Sequence, residues 1–419
     1  MASHQQRSYA DYTVGWICAL PLEMAVAKAM LDEIHPRLPQ AQNDHNIYTL
    51  GTLHGHNVVI ACLPSGVYGY SSASTVAAQM LSAFPAVRFS LMVGIGGGVP
   101  GAGGNHADIR LGDVVVSKPT GTFGGVVQYD YGKTISRGRF KRTGTLNKPP
   151  SILLAALANL EADHTLGLSQ IDSYLSQMLM RYPSLTKFAS CPGPQFDILF
   201  EPEYHHIDSA DGTCRSCNPR YLARRPSRPS GDGPQIHYGL IASGNRVMKD
   251  GLVRDRIARD LEDSVLCFEM EAAGLMDNFP CLVIRGISDY ADSHKNKQWK
   301  PYAAAVAAAY AKELLSVIPV WHVRKAPLMP SDVPTSSDLP PSGYRRSYSK
   351  MKAKVPEWQS GFGSERDQYP ASIQQGGTWF QGPVSNNGVI MGNINSTNGH
   401  QVHVLGSPGA AVYLNASEQ

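Results

Sequence analysis

From Tyr12 to Ile318 the chain alternates short runs of apolar, β-branched residues with longer stretches in which apolar positions recur every three or four residues. A short apolar run bounded by polar or turn residues is the pattern of a strand buried on both faces, whereas the longer recurrence marks a helix with one face against a core. Predicted strands are Thr13 to Ala19, Asn57 to Leu63, Ser90 to Val93, Asp113 to Ser117, His237 to Ser243, Val265 to Phe268 and Leu282 to Ile287. Predicted helices are Leu22 to Ile34, Ser72 to Phe84, Ile152 to Leu160, Gly251 to Asp260, Met270 to Phe279 and the alanine-rich Tyr302 to Ile318. This alternation gives an α/β fold class, a β-sheet core covered by helices.

Two regions break the pattern. Residues 192–234 are crowded with Pro, Gly, Ser, Asp and Arg and have no apolar period, so they are predicted to form a long surface insertion. Beyond Arg324 the chain is rich in Pro, Ser and Gly and cannot bury enough apolar surface to fold alone. Within it, Gly382 to Gly399 mixes Asn and Gly with β-branched patches and carries no charge, a composition that suits either in-register β-stacking or a disordered terminus. The predicted organisation is a disordered N-terminus over 1–10, one domain over 11–322, a disordered linker over 323–381 and an Asn/Gly-rich tail over 382–419.

With 419 residues and 42% hydrophobic content, one large core is easily built. The net charge of +3 and the scatter of Lys and Arg do not indicate a nucleic-acid face. No apolar run has the length of a membrane span and the N-terminus lacks a signal-peptide stretch, so no membrane partner and a cytoplasmic location are expected. Cys18, Cys62, Cys267 and Cys281 fall in apolar strands and read as reduced core residues. Cys214 and Cys217 form a Cys-x-x-Cys pair with His205 and His206 nearby. Without a second closely spaced pair, a loosely ordered polar loop is favoured over a zinc clip. No metal and no cofactor are expected.

The candidate chemistry lies in Cys267-Phe-Glu-Met-Glu-Ala-Ala-Gly274 and Val283-Ile-Arg-Gly-Ile-Ser-Asp-Tyr-Ala-Asp292. These segments set Glu269, Glu271 and Asp289 at the ends of two apolar strands, where open α/β sheets bind ligands.

Those segments resemble the nucleoside phosphorylase and nucleosidase superfamily, which includes purine nucleoside phosphorylases, uridine phosphorylases and methylthioadenosine/S-adenosylhomocysteine nucleosidases. The resemblance extends over roughly Asp11 to Ile318. It includes Val14-Gly-Trp-Ile-Cys-Ala-Leu-Pro-Leu-Glu23, Ser65-Gly66, Gly94-Ile-Gly-Gly-Gly98, Leu111-Gly-Asp-Val-Val-Val-Ser117 and Gly239-Leu-Ile-Ala-Ser-Gly-Asn-Arg-Val247. It implies a single-domain three-layer fold, a mixed β-sheet flanked by helices. By the same resemblance Asp289 is the general acid at purine N7 with Ser288 orienting it, Glu271 accepts the ribose hydroxyls, Met270 packs on the sugar and Glu269 supports them. Gly66, Gly94, Gly96 and Gly97 belong to the ligand-facing glycine loops, and Gly101 to Gly104 continue as a flexible bulge with Asn105 and His106. Asn245 and Val247 belong to the base loop, Val247 standing where relatives often place an aromatic ring.

The nucleophile separates the reaction classes. Phosphorylases of this superfamily hold phosphate with an Arg ahead of the glycine loop and a hydroxyl within it; here those positions are Met92 and Ile95, which bind no anion. Glu23 matches the water-activating glutamate of the nucleosidases, and a carboxylate there repels phosphate. Bland readings stand beside these: Glu23 and Glu269 as charges at helix starts, Asp289 as a cap. The favoured function is a purine nucleoside or nucleotide N-ribohydrolase, the alternatives being a phosphate-dependent purine nucleoside phosphorylase or a non-catalytic nucleoside-sensing module. Adenosine, methylthioadenosine and ATP stay open as substrates, with Arg110, Arg139, Lys141 and Arg246 as candidates to meet a triphosphate. The chain also resembles effectors of filamentous-fungal immune-type proteins, which implies a signalling partner reached through the tail. Homo-oligomerisation stays open.

Overall fold

The computed structural model describes residues 7–101, 108–207, 213–228, 233–295 and 297–328, together with the backbone of 390–395 and 401–406. The chain divides into two units, 1–342 and 343–419. In the first, strands β1 (Val14–Cys18), β2 (Glu33–Ile34), β3 (Thr49–Leu53), β4 (His56–Cys62), β5 (Phe89–Gly98), β6 (Val114–Ser117) and β7 (Val126–Gln128) precede a separate hairpin of β8 (Gly132–Thr134) and β9 (Phe140–Arg142). Strands β10 (Ile236–Ser243), β11 (Val265–Glu269) and β12 (Cys281–Asp289) follow. The sheet runs β11, β10, β6, β12, β5, β1, β4, β3, β2, with β7 beside β10, and it mixes parallel and antiparallel pairs. The end of β5 also pairs antiparallel with β11 through Gly97 and Gly98, so five strands close on themselves and lose their edges.

Burial explains the strand pattern. Every residue of β1, β11 and β12 is buried, so these strands read as continuous apolar runs rather than as alternation. Helices α1 (Pro21–Met30), α2 (Tyr70–Ala83), α3 (Ser151–Thr165), α4 (Ile171–Arg181), α5 (Thr186–Ala189), α6 (Gly251–Asp260), α7 (Lys300–Ser316) and α8 (Val320–Lys325) complete the unit. α7 lies against β12 and β5 on one side and α1 and α4 on the other; its alanines permit this, and all its residues from Tyr302 to Leu315 are buried.

Three expectations are corrected. The first helix ends at Met30 rather than Ile34, because Asp32 N bonds to Thr52 O at 2.9 Å and His35 N to Leu50 O at 2.8 Å, drawing the chain into β2. No α-helix spans Met270 to Phe279; only the 3₁₀ turn Ala272–Gly274 forms there. Glu269 accepts the amides of Glu271 and Ala272, and Ser243 Oγ accepts that of Ala273, so side chains take over bonds that a helix would have made. The strand expected to stop at Val93 runs on as β5 through the whole glycine segment to Gly98.

The described part of 192–234 is also better tied than a loose polar loop. Arg225 pairs with Asp197 at 2.9 Å and donates to Tyr290 Oη at 2.7 Å, while Arg228 Nη1 reaches the buried Asp113 at 2.8 Å. Phe200 stacks on His294 with centroids 4.2 Å apart and Tyr204 on Tyr221 at 4.5 Å. Three isolated rings leave no period in the sequence, yet they build a small cluster. At the N-terminus, Tyr9–Asp11 forms a 3₁₀ turn and Tyr9 packs on Phe84. The bulge from Gly101 lies outside the described residues beyond that glycine, as do Asn105 and His106. In the second unit, β13 (Ile390–Asn395) pairs antiparallel with β14 (Gln401–Gly406); the rest of 382–419 lies outside the described residues. Among the described residues no helix is long and apolar enough to cross a membrane.

Candidate active site

A bulge in β12 assembles the acid. β12 runs parallel to β5 with Ile287 opposite Gly96, then Asp289 opposite Gly97, so Ser288 is an extra residue. Strict alternation would send Ser288 and Asp289 to opposite faces, but after the bulge both line one cavity of about 250 Å³. Asp289 Oδ1 accepts from Ala291 N at 3.0 Å and from Lys295 Nζ at 2.7 Å, while Ser288 Oγ donates to Oδ2 at 3.0 Å. A Cβ on Gly97 would stand 2.8 Å from Asp289 Oδ1, so only glycine lets the acid lie against β5.

Glu23 comes from the first turn of α1 and lines the same cavity, 3% exposed. Its Oε2 accepts Ala19 N at 2.8 Å and Leu20 N at 2.9 Å, and its Oε1 accepts Ile95 N at 2.9 Å. One oxygen thus fills the helix-start role, and the other is held beside β5 at the cavity wall. Burial pushes the carboxyl above its ordinary range, against the lowering by Arg285 and the three amides, which makes it a stronger base. A Cβ on Gly94 would come within 2.6 Å of both Glu23 Oε1 and Arg285 Nη1, so this glycine makes room for the charged pair rather than for a ligand.

Arg285 is the charge that holds the acids together. It lies in the middle of β12, 1% exposed, and pairs with Glu269 and, at 3.5 Å, with Glu271. An isolated guanidinium would not be tolerated there. Glu269 spends its remaining capacity on the Glu271 and Ala272 amides, so its role is to shape the turn. Glu271 also accepts Gly69 N at 3.3 Å. Burial, followed by the charges of Glu269 and Glu23, pushes the Glu271 carboxyl up to about 7 against the pull of Arg285.

That shift makes folding stability depend on pH. With its ordinary value of 4.5 raised to about 7, the folded protein holds this proton more tightly than the unfolded chain. The stabilisation is full below the unfolded value and is lost as pH rises through the folded one. Between pH 5 and 8 the group should remove about 1–3 kcal/mol of stability. Glu271→Gln should flatten that slope in thermal unfolding measured across the same pH range, and an unchanged slope would contradict the assignment.

The cavity gathers Glu23, Gly96, Gly97, Val247, Glu269, Met270, Glu271, Ser288 and Asp289 from the residues singled out in the sequence. Gly66, Gly94 and Asn245 are not in its lining: Gly66 sits in a turn, and Asn245 backs the turn at Gly69 and donates its amide to Asp130. Val247 is half exposed at the rim; the rings present are Tyr68 and Phe268. Of the four basic residues considered for a triphosphate, only Arg246 lines the cavity. Arg110 is paired with Asp108, and Arg139 and Lys141 belong to the outlying β8–β9 segment. Lys295 and Lys300 join Arg246 instead. A second cavity of about 280 Å³, lined by Phe123, Tyr131, Arg142 and Asp277 among others, shares no residue with the first and contains no pair of acids.

Residues 13–318 match the family model described as the phosphorylase superfamily, and the chain belongs to that superfamily. A nucleotide-binding leucine-rich repeat (NLR)-like protein from Hyaloscypha variabilis is 48% identical over 311 residues, covering 74% of this chain and 29% of that protein. A 5'-methylthioadenosine/S-adenosylhomocysteine nucleosidase from Mycobacterium bovis is 25% identical over 316 residues, covering 74% of this chain and 97% of that one. An ATP nucleosidase from Escherichia coli is 24% identical over 311 residues, covering 71% of this chain and 50% of that one. The chain thus spans under a third of its NLR-like relative and about half of the ATP nucleosidase.

Proposed function

We propose that the chain is a purine N-ribohydrolase that splits the bond between the base and C1′ of ribose in a nucleoside or nucleotide. The observation that carries this reading is the convergence of Glu23, Glu271 and Asp289 on one cavity. Glu23 takes a proton from water as the water oxygen bonds to C1′. The C1′–N9 bond breaks, its electrons pass to the base, and Asp289, which takes a proton from solvent once Lys295 has turned away from it, delivers that proton to N7. Glu271 accepts the ribose hydroxyls and favours the cationic sugar of the transition state.

Hydrolysis is favoured over phosphorolysis by what stands at the attacking side. Met92 is buried in the core, Ile95 offers an apolar side chain, and Glu23 places a carboxylate where a phosphate dianion would have to enter. Two of the relatives are nucleosidases by name, one acting on ATP.

The cations at the cavity favour a nucleotide. Arg246, Lys295 and Lys300 reach it from three different segments, a charge pattern that suits phosphate groups on the 5′ side of a ribose. A panel of adenosine, methylthioadenosine and ATP, followed by adenine release, tests this. Lys300→Glu should lower kcat/KM for ATP about tenfold or more while leaving adenosine within about twofold. Equal losses on both substrates would exclude a phosphate contact at Lys300.

A further inference from the structure

Asp289 is held in a form that cannot act as an acid. Lys295 Nζ lies 2.7 Å from its Oδ1, Ala291 N donates to the same oxygen at 3.0 Å, and Ser288 Oγ donates to Oδ2 at 3.0 Å. Three donors converging on a carboxyl that is 6% exposed are the surroundings of a carboxylate, not of a carboxylic acid. While Lys295 stays there, Asp289 has no proton for N7.

The backbone brings Lys295 back to the acid along a strained path. Ala291 takes a φ of 53°, in the left-handed region that alanine rarely adopts, and Asp292 Oδ1 accepts His294 N at 2.8 Å, so the segment after β12 turns back on itself. Phe200 stacks on His294, the neighbour of Lys295, with ring centroids 4.2 Å apart. Strain of this kind gathers at functional positions. The Lys295 side chain is the part free to move, an ammonium on a flexible stem and 22% exposed.

Lys295 shares the cavity with Arg246 and Lys300, neither of which pairs with an acid among the described residues. In an anti purine nucleotide the C8–N7 edge of the base lies on the side of the 5′ substituent, so a cation beside the acid at N7 is within a long side chain's reach of the phosphates. A triphosphate brings several negative charges where Asp289 has a single one, and Coulomb attraction grows with that charge, so the phosphates win the ammonium. Adenosine presents the same N7 acceptor and brings no phosphate.

We infer that Lys295 is a specificity-determining switch on the general acid: phosphates on the 5′ side draw it off Asp289, which then takes up the proton it gives to N7, whereas a nucleoside leaves the acid paired. This switch presupposes the ribohydrolase reading and adds to it that nucleotide and nucleoside are told apart in the rate of cleavage as well as in binding. Lys295 stays an ammonium throughout and only changes partner, from a carboxylate to a phosphate oxygen. The proton comes from solvent, rests on Asp289 and leaves on the base. A nucleoside is cleaved only in the fraction of molecules whose Lys295 points to water.

The test is adenine release from ATP and from adenosine by the full chain, in single turnover at saturating enzyme, which reads the chemical step apart from binding and product release. Wild type should cleave ATP about tenfold faster or more. Equal single-turnover rates, with the whole preference for ATP in binding, would overturn the switch and leave the ribohydrolase reading standing. Lys295→Met should speed adenosine cleavage about three- to tenfold and weaken ATP binding, so that the two rates converge, while Lys295→Arg, which keeps the charge, should keep them apart. On a leaving group that needs no protonation the gain should vanish, because it acts through Asp289. A Lys295→Met chain that was folded by thermal unfolding yet slower on both substrates would also overturn the switch. The wild-type comparison needs no variant and decides the matter even if Lys295→Met fails to fold. Adenine released from neither substrate would overturn the ribohydrolase reading, and the switch with it.

Discussion

Glu23→Gln should abolish nearly all turnover, by about three orders of magnitude, because the amide cannot take a proton from the attacking water. The substitution is not silent structurally. Glu23 receives three backbone N–H groups, two on Oε2 and one on Oε1, and an amide can accept at only one of those ends. Its NH₂ must then face a backbone donor, which should cost about 1–3 kcal/mol of stability. Thermal unfolding read beside the turnover number separates the two effects, since a folded protein at assay temperature with residual activity near background is the expected outcome. The pH profile carries the same assignment. Burial raises the Glu23 carboxyl, so the acid limb of kcat/KM should fall at a higher pH than that of an ordinary carboxylate. Turnover within about tenfold of wild type in Glu23→Gln would remove Glu23 from the mechanism.

Asp289→Asn should lower kcat on adenine substrates by about two to four orders of magnitude with little change in ground-state affinity. Asn can still accept from Ala291 N through its oxygen, and its NH₂ can donate to Ser288 Oγ once that hydroxyl turns to accept, so the bulge of β12 and the cavity wall should persist. What is lost is the proton for N7 and the counter-charge of Lys295, a partly exposed ammonium that can turn toward water. A substrate analogue whose leaving group needs no protonation should therefore be cleaved by the variant at close to the wild-type rate. If the loss were equal on both leaving groups, Asp289 would be holding the substrate and not protonating it.

The strands were legible because a strand buried on both faces is mostly apolar, as in Val265 to Phe268 and, Arg285 apart, in Leu282 to Ile287. Local pattern failed where long-range groups took the backbone bonds. Met270 to Phe279 has a helical composition, yet Glu269 and Ser243 capture its first amides. The glycines from Gly94 to Gly98 read as a loop by propensity, yet they are β-strand because Glu23, Arg285 and Asp289 crowd the space a side chain would need.

The site divides in the same way. Glu23, Met270, Glu271, Ser288 and Asp289 were found through motifs that keep neighbours in sequence together. Arg285 was missed although it carried a signal, a charge inside an apolar run that can be buried only against acids from another strand. Lys295 and Lys300 gave no such signal, since their reach into the cavity depends on how β12 exits and α7 begins.

The central claim is that water, not phosphate, attacks C1′. The most direct measurement is cleavage of an adenine nucleoside or nucleotide in water labelled with heavy oxygen, with and without added phosphate. Mass analysis of the sugar product then reads the nucleophile. The arrangement of Glu23 beside Ile95, with Met92 in the core, predicts a free reducing sugar or its 5′-phosphorylated form, labelled at C1, at a rate indifferent to phosphate. A requirement for phosphate, with ribose 1-phosphate as the unlabelled product, would contradict it.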